Sequence, residues 1–244
     1  MMLLNYSIAT FMRFFGEGSR YVVFTDDIPF VSSALCVRAE VRSFSNHVSS
    51  RFNTVASTWR KWAPLARLET GVPEFRIDLD MFLLKPPTEL FDFCNGLDAE
   101  KKFLITTEEW KEDWPYGNFA SSLHRDLAPI NAGLVGQKPG ADISCGLERA
   151  YDWWVEQVGE RDVKYHDEQG AVAKALEAFM LRGEVTLLPS AKYRIVCPIN
   201  ESSVTNINDL TLLHATYPDH PAFYKYLPLI KEVAAPHLTK PLKD

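Results

Sequence analysis

Two aspartates, Asp78 and Asp80, stand two residues apart in the run FRIDLDMFLLKPP (Phe75 to Pro87), whose other residues are those of a buried strand. Side chains alternate along a strand, so Arg76, Asp78 and Asp80 fall on one face and Phe75, Ile77 and Leu79 on the other. Strand rise puts the two carboxylates roughly 7 Å apart. At that distance two unit charges repel by about 2 kcal/mol for an effective dielectric near 20, so a positive group belongs beside them. Arg76, on the same face, is the structural answer. A divalent cation is the chemical one, because hard ions take carboxylate oxygens, and Mg²⁺ or Mn²⁺ commonly bridges carboxylates to a diphosphate. Position favours the ion: open α/β sheets bind ligands beyond the carboxyl ends of their strands, and the pair sits late in this one.

The elements that must hold this pair can be read from the pattern. A helix is expected up to Gly16–Gly18, then a short strand over RYVVFTDD (Arg20 to Asp27) and another over ALCVRAEVRSF. Phe52, Val55, Trp59 and Trp62 recur at helical spacing, which predicts a helix over Val48 to Leu68, with Arg60 and Lys61 on its other side and Pro64 bending or ending it. FRIDLDMFLL, KKFLITTEE and PINAGLVGQ read as strands, and CGLERAYDWWVEQV and DEQGAVAKALEAFM as helices. VTLLP, YRIVCP and LTLLHAT read as short strands, and a last helix runs near Tyr224 to Ala235. Strands alternating with helices predict an α/β sandwich with a mixed, mostly parallel central sheet flanked by helices. Without repeats or a linker-like stretch, residues 1–244 are expected to form a single domain.

Bulk composition narrows the partners. Of 244 residues, 46% are hydrophobic and 24% charged, which suits a globular core. Lys and Arg number 26 against 32 Asp and Glu, a net charge of -6 that provides no field to draw in a phosphate backbone, so nucleic acid is excluded as the expected partner. Cys36, Cys94, Cys145 and Cys197 are widely spaced, with no CxxC pair, and read as reduced thiols of a cytoplasmic protein. The N-terminal run MMLLNYSIATFMRFFGEG is interrupted by Asn5, Ser7, Thr10 and Arg13, so neither a transmembrane span nor a signal peptide is expected.

Taken in order, several segments resemble one family. The run TWRKWAPLARLETGVPEFRIDLDMFLLKPPTELF is similar to the GT-A class of nucleotide-sugar glycosyltransferases, in which a helix leads to a strand ending in DxD. PINAGLVG resembles the Asn-Ala/Ser-Gly strand of that class, DEQGAVAKAL its Asp-Glu-Gln helix start, and LLHATYP its late metal-binding histidine. The likeness spans about Tyr21 to Pro218 and is nearest to the family-eight-like retaining transferases. It implies that Asp78 and Asp80 bind Mn²⁺ or Mg²⁺ and the diphosphate of a UDP- or GDP-sugar, with His214 as a further metal ligand, and that a sugar passes to a carbohydrate hydroxyl. Two departures stand out. The chain starts close to the helix that follows that fold's first nucleotide-binding strand, and after His214 it has Ala-Thr-Tyr-Pro-Asp in place of the Gly-x-x-Lys-Pro-Trp continuation that carries a lysine to the diphosphate.

Each motif also has a structural reading. Asn131-Ala132-Gly133 is a bulged strand with a capping Asn, or else small residues admit a sugar to the backbone while the Asn amide binds a hydroxyl. Asp167-Glu168-Gln169 is an N-cap and acidic first turn favoured by the helix dipole. Under the resemblance, Asp167 or Glu168 is catalytic, stabilising oxocarbenium-like charge or orienting the acceptor, and Gln169 binds substrate. His214 is a hydrogen-bonded strand end or a ligand. Asp26-Asp27 is read as a turn. Trp110, Trp114 and Tyr116, in the loop EEWKEDWPYGNF, either stack on sugar faces or roof the core; Trp153-Trp154 is read as packing. Two alternatives accompany the transferase: a haloacid-dehalogenase-type phosphatase, whose strand-end DxD the run DLDMFLL resembles, and a non-catalytic carbohydrate-binding protein of the same fold. Peripheral association with a membrane is compatible with all three.

Overall fold

A computed structural model describes residues 1–43, 57–62, 66–109, 114–159, 162–197, 206–216, 219–240 and 242. In chain order its elements are α1 (Met2–Phe15), β1 (Val22–Thr25), α2 (Ile28–Ala34), β2 (Glu40–Ser43), a 3₁₀ helix (Ser57–Trp62), β3 (Glu74–Ile77), β4 (Met81–Leu83), α3 (Thr88–Cys94) and β5 (Phe103–Thr107). A second 3₁₀ segment (Trp114–Ser122) follows, then β6 (Ile130–Gln137), α4 (Ser144–Gln157), α5 (Asp167–Leu181), β7 (Val185–Leu188), β8 (Tyr193–Ile195), β9 (Leu212–His214) and α6 (Pro221–Ala234). The architecture is the expected mixed α/β one. The chain forms two compact units interleaved in sequence: Met1–Asn46, Ile77–Thr88 and Pro189–Asp244 make the first, and His47–Arg76 and Glu89–Leu188 the second.

The first unit contains the parallel pair β1–β2 and the sheet β4-β9-β8, in which β4 runs antiparallel and β8 parallel to β9. Its core gathers Tyr6, Met12, Phe82, Leu213, Phe223 and Ile230. Two of the polar residues that interrupt the N-terminal run, Asn5 and Thr10, anchor it. Asn5 accepts from the Cys36 backbone N–H at 2.6 Å and donates to the Ala34 carbonyl at 3.0 Å. Thr10 Oγ1 accepts from the Leu83 N–H of β4 at 3.2 Å. A buried helix carries polar groups only where they find such partners. Asp27 caps α2 by accepting from the Phe30 N–H at 3.0 Å, the turn role read for Asp26-Asp27.

The second unit carries the sheet β3-β6-β5-β7, with β6 antiparallel and β7 parallel to β5. Leu147, Ala150, Tyr151 and Trp154 recur at i, i+3, i+4 and i+7 along α4 and are its buried face. Trp154 also meets Trp59 at 5.4 Å between ring centres, and Trp59 meets Tyr151 edge-on at 5.2 Å, so Trp154 is a packing residue as expected. Helix α5 lies so close to the second 3₁₀ segment that a Cβ on Gly170 would meet the Tyr116 carbonyl and would stand 2.8 Å from Phe119 Cβ. Backbone cannot yield there as a flexible side chain would. Gly170→Ala is expected to destabilise the protein by about 3 kcal/mol through overpacking, measured as a lower urea midpoint with unchanged slope.

Two sequence expectations are corrected. FRIDLDMFLL is not one strand: β3 ends at Ile77, β4 starts at Met81, and the two belong to different sheets. Asp78, Leu79 and Asp80 form a tight turn closed by Met81 N–H donating to the Asp78 carbonyl at 3.3 Å. Leu79, grouped on one face with Phe75 and Ile77 by strand alternation, sits in this turn and is 52% exposed. The helix over Val48 to Leu68 is, where described, the 3₁₀ helix Ser57–Trp62. Spacing of three suits a 3₁₀ turn as well as an α-helix, so Trp59 and Trp62 both face inward; Phe52, Val55 and Pro64 lie outside the described residues.

Candidate functional site

The turn that replaces the predicted strand still brings the aspartates together, and more closely. Antiparallel pairing sets Met81 of β4 opposite His214 of β9, and Ala215 N–H donates to the Asp80 carbonyl at 2.9 Å, which places the imidazole beside the turn. One ligand atom each from Asp78, Asp80 and His214 lies within 4.8 Å of the others. His214 Nε2 is 3.3 Å from Asp80 Oδ1. Asp80 and His214 are buried and Asp78 half-buried. At 4.8 Å two carboxylate charges repel by about 3 kcal/mol for an effective dielectric near 20, more than the strand geometry implied.

The donor set fits a divalent cation. Ligands of one ion held at about 2.1 Å stand no more than about 4.2 Å apart, so small side-chain rotations close the triad on an ion. Two carboxylates and one imidazole are together a donor set that can hold a divalent metal ion. Burial pushes the Asp80 carboxyl up, but His214, by charge and by hydrogen bond, and His220, by charge, outweigh it, and the pKa falls below its ordinary value. His220, which the sequence reading passed over, stands with Nδ1 3.5 Å from Asp80 Oδ2 and 2.8 Å from the Ala215 carbonyl. Asp219 and His220 both adopt left-handed backbone, φ 66° and 44°, a conformation that costs a non-glycine residue about 1–2 kcal/mol. The local signal was slight: a histidine directly before Pro221, the proline that opens α6.

Arg76, the alternative partner for the aspartates, pairs with Glu74 at 3.7 Å and lies over the Trp62 ring at 5.4 Å.

In the second unit, the Asn-Ala-Gly strand and the Asp-Glu-Gln helix start meet. Gln169 Oε1 accepts from Asn131 Nδ2 at 3.0 Å and from the Ala132 N–H at 3.2 Å, while its amide donates to the Pro115 carbonyl at 2.9 Å. Asn131 Oδ1 turns back to the Gly133 N–H at 2.9 Å. Glu168 is buried; Trp62 Nε1 donates to one oxygen and Lys61 Nζ stands 3.2 Å from the other. Lys61, expected on the other side of a helix from Trp59 and Trp62, reaches this carboxylate and lies 3.5 Å from the Ala132 carbonyl. Asp167 is wholly inaccessible and accepts from Asn118 N–H at 2.6 Å, Asn118 Nδ2 at 3.0 Å, Trp154 Nε1 at 2.8 Å and Lys164 N–H at 2.9 Å. Glu108, also buried, lies 3.5 Å from Asn131 Nδ2; in the sequence it stands where the KKFLITTEE strand meets the following loop, with nothing to mark it as a site residue.

No protein-family model and no curated protein matches the sequence. Solved structures do match in three dimensions. A galactosyltransferase, LgtC, crystallised with donor and acceptor sugar analogues, superposes with a TM-score of 0.59 at 15% identity over 99% of this chain and 93% of its own. An LgtC variant with an active-site glutamine changed to glutamate gives 0.60 at 16%, with the same coverage. The glycosyltransferase GlyE of Streptococcus pneumoniae TIGR4 gives 0.52 at 13%, over 99% of this chain and 62% of its own. The fold is that of the GT-A glycosyltransferases.

The GT-A fold removes the support for the phosphatase alternative, which rested on reading DLDMFLL as a strand end. Among the aromatic candidates, Trp110 and the Trp114 side chain lie outside the described residues. Tyr116 is half-buried, and its hydroxyl accepts from the Ile130 N–H at 2.8 Å and donates to the Ala128 carbonyl at 3.2 Å. Burial chiefly, and the charge of Glu108, push its pKa up to about 12 against the lowering effect of the Ile130 N–H. Because the folded value exceeds the ordinary phenol value of 10.0, the stability this phenol contributes is complete below pH 10 and is lost as pH rises through 12. Tyr116→Phe is expected to cost about 1–2 kcal/mol at neutral pH and to flatten the fall in melting temperature between pH 10 and 12.

No helix among the described residues is long and apolar enough to cross a membrane. The four cysteines are free thiols.

Proposed function

We propose that this chain is a metal-dependent glycosyltransferase, moving a sugar from a nucleoside diphosphate sugar to a carbohydrate hydroxyl, with residues 1–244 acting as a single GT-A-like domain. The observation that carries the reading is the convergence of Asp78, Asp80 and His214 within 4.8 Å, in a fold shared with sugar transferases. Mn²⁺ or Mg²⁺, held by those three residues, would supply Lewis acidity and charge neutralisation for a leaving diphosphate.

Separate work falls to the second cluster. Glu168 is the carboxylate assigned to a sugar that gains positive charge at its anomeric carbon, because Lys61 and Trp62 fix both of its oxygens. Fixed charge needs no reorganisation when the reacting charge develops, which is what makes it effective. Gln169 and Asn131, joined to each other and to the backbone around Ala132 and Gly133, are assigned to sugar hydroxyls; the active-site glutamine of LgtC supports including Gln169. Asp167 is assigned chiefly to holding the Asn118 loop and the Trp154 ring in place. Trp110 and Trp114 are retained as stacking candidates. A cytoplasmic location, with peripheral membrane contact in reach of an acceptor, completes the proposal.

Incubation with a panel of UDP- and GDP-sugars tests it. The expected result is slow release of UDP or GDP that needs Mn²⁺ and stops with a chelator. Hydrolysis of aryl phosphates instead would restore the phosphatase, and neither activity in a folded protein that binds carbohydrate would make the chain a binding protein.

A further inference from the structure

His220 is positioned to act on the metal centre without belonging to it. Among the described residues the donors that converge are Asp78, Asp80 and His214. The Nδ1 of His220 is committed elsewhere, 2.8 Å from the Ala215 carbonyl. A carbonyl oxygen only accepts, so Nδ1 carries the proton, and the same N–H faces Asp80 Oδ2 at 3.5 Å. Ala215 in turn donates its backbone N–H to the Asp80 carbonyl at 2.9 Å. Asp80 is therefore contacted at both ends: its backbone carbonyl accepts from Ala215, and Oδ2 lies at ion-pair distance from an imidazole hydrogen-bonded to that same residue. The inner oxygen, Oδ1, is left facing His214 Nε2 at 3.3 Å.

A helix-capping role does not account for His220. Its side chain makes no capping bond to α6, and the left-handed backbone at Asp219 and His220 differs from the extended conformation usual at an N-cap. The conformation serves to aim the ring at Asp80 and Ala215. We infer that His220 is a positioning residue of the Asp78–Asp80–His214 centre, orienting Asp80 so that Oδ1 is presented to a divalent cation. This rests on the metal-dependent reading of the triad, and it deepens that reading by naming a residue that sets the affinity of the site for its ion.

The test is calorimetric titration of Mn²⁺ into the full chain, with His220→Gly and His220→Asn beside the unaltered protein, and thermal melts of each without metal. Glycine accepts left-handed backbone freely and asparagine readily, so neither change should lower the metal-free melting temperature. Mn²⁺ affinity should fall by roughly 10–100-fold in His220→Gly, the loss typical when a group that supports a metal ligand is removed, and by less in His220→Asn, whose amide still offers an N–H. An unchanged Mn²⁺ affinity in His220→Gly would overturn the inference while leaving the metal centre standing. So would a drop in metal-free melting temperature in both variants that matches their loss of affinity, since that is a structural residue's behaviour. Failure of the unaltered chain to bind Mn²⁺ would overturn the metal-dependent reading, and this inference with it.

Discussion

Asp80→Asn is expected to lower Mn²⁺-dependent hydrolysis of a nucleotide sugar by at least about a thousandfold, since a metal's charge stabilisation is worth several kcal/mol and each 1.36 kcal/mol is a factor of ten. The substitution keeps the size of the side chain and removes its charge. It acts at the centre of the triad: Asp80 Oδ1 lies 3.3 Å from His214 Nε2, and Oδ2 lies 3.5 Å from His220 Nδ1. With the charge gone, the remaining donors are Asp78 and His214, one carboxylate and one imidazole, a set too poor to hold a hard cation against water. The effect should come with weakened Mn²⁺ binding and unchanged far-ultraviolet circular dichroism. Asp78→Asn is expected to follow in the same direction. Retention of full activity by Asp80→Asn would remove Asp80 from the site.

Asp167→Ala is expected to act on the fold. The carboxylate is inaccessible and accepts from four N–H groups, on Asn118, Trp154 and Lys164. Deleting it strands those donors in a site closed to bulk water, at about 1–3 kcal/mol each before relaxation. With repacking, a net loss of about 3–5 kcal/mol follows, in the range seen when one side of a buried charged network is removed. For a chain of this size that is a fall in melting temperature of about 10 °C. Gly117 ties the same point from the other side: its backbone is left-handed, φ 53°, and a Cβ there would meet Asp167. Glu168→Gln should behave differently, with most of the stability kept and the turnover reduced. An Asp167→Ala protein that melts normally but turns over no substrate would return Asp167 to the catalytic role that family resemblance assigns it.

Much of the fold was legible where one period dominates. Helix α4 shows its buried stripe in the spacing of Leu147, Tyr151 and Trp154, and β5 and β6 show as apolar runs closed by polar loops. The turn at Asp78–Asp80 was hidden because apolar residues flank it on both sides, so two short strands of different sheets read as one long strand. Aspartate's own preference for turns was the overlooked cue. The grouping of the aspartates was expected for the wrong local reason: turn geometry, not strand pleat, brings them together. In the region Val48 to Leu68, tryptophans three apart cannot separate an α-helix from the 3₁₀ helix observed.

The candidate site was legible in its types and less so in its connections. Asp78, Asp80 and His214 were all named in sequence, and they converge. His220 carries no local signal beyond the proline that follows it, and its left-handed backbone is not announced by its residue type. Helical spacing places Lys61 on the side of the helix away from Trp59 and Trp62, whereas its partner Glu168 lies far along the chain. Long-range pairs of this kind leave no periodic trace.

Donor binding through a divalent ion held by Asp78, Asp80 and His214 is read by calorimetric titration of UDP- and GDP-sugars into the protein, with Mn²⁺ and again with a chelator. Saturable binding of at least one nucleotide sugar with Mn²⁺, and none with chelator, is the expected result. Equal affinity in both conditions would mean that the donor is held without the ion.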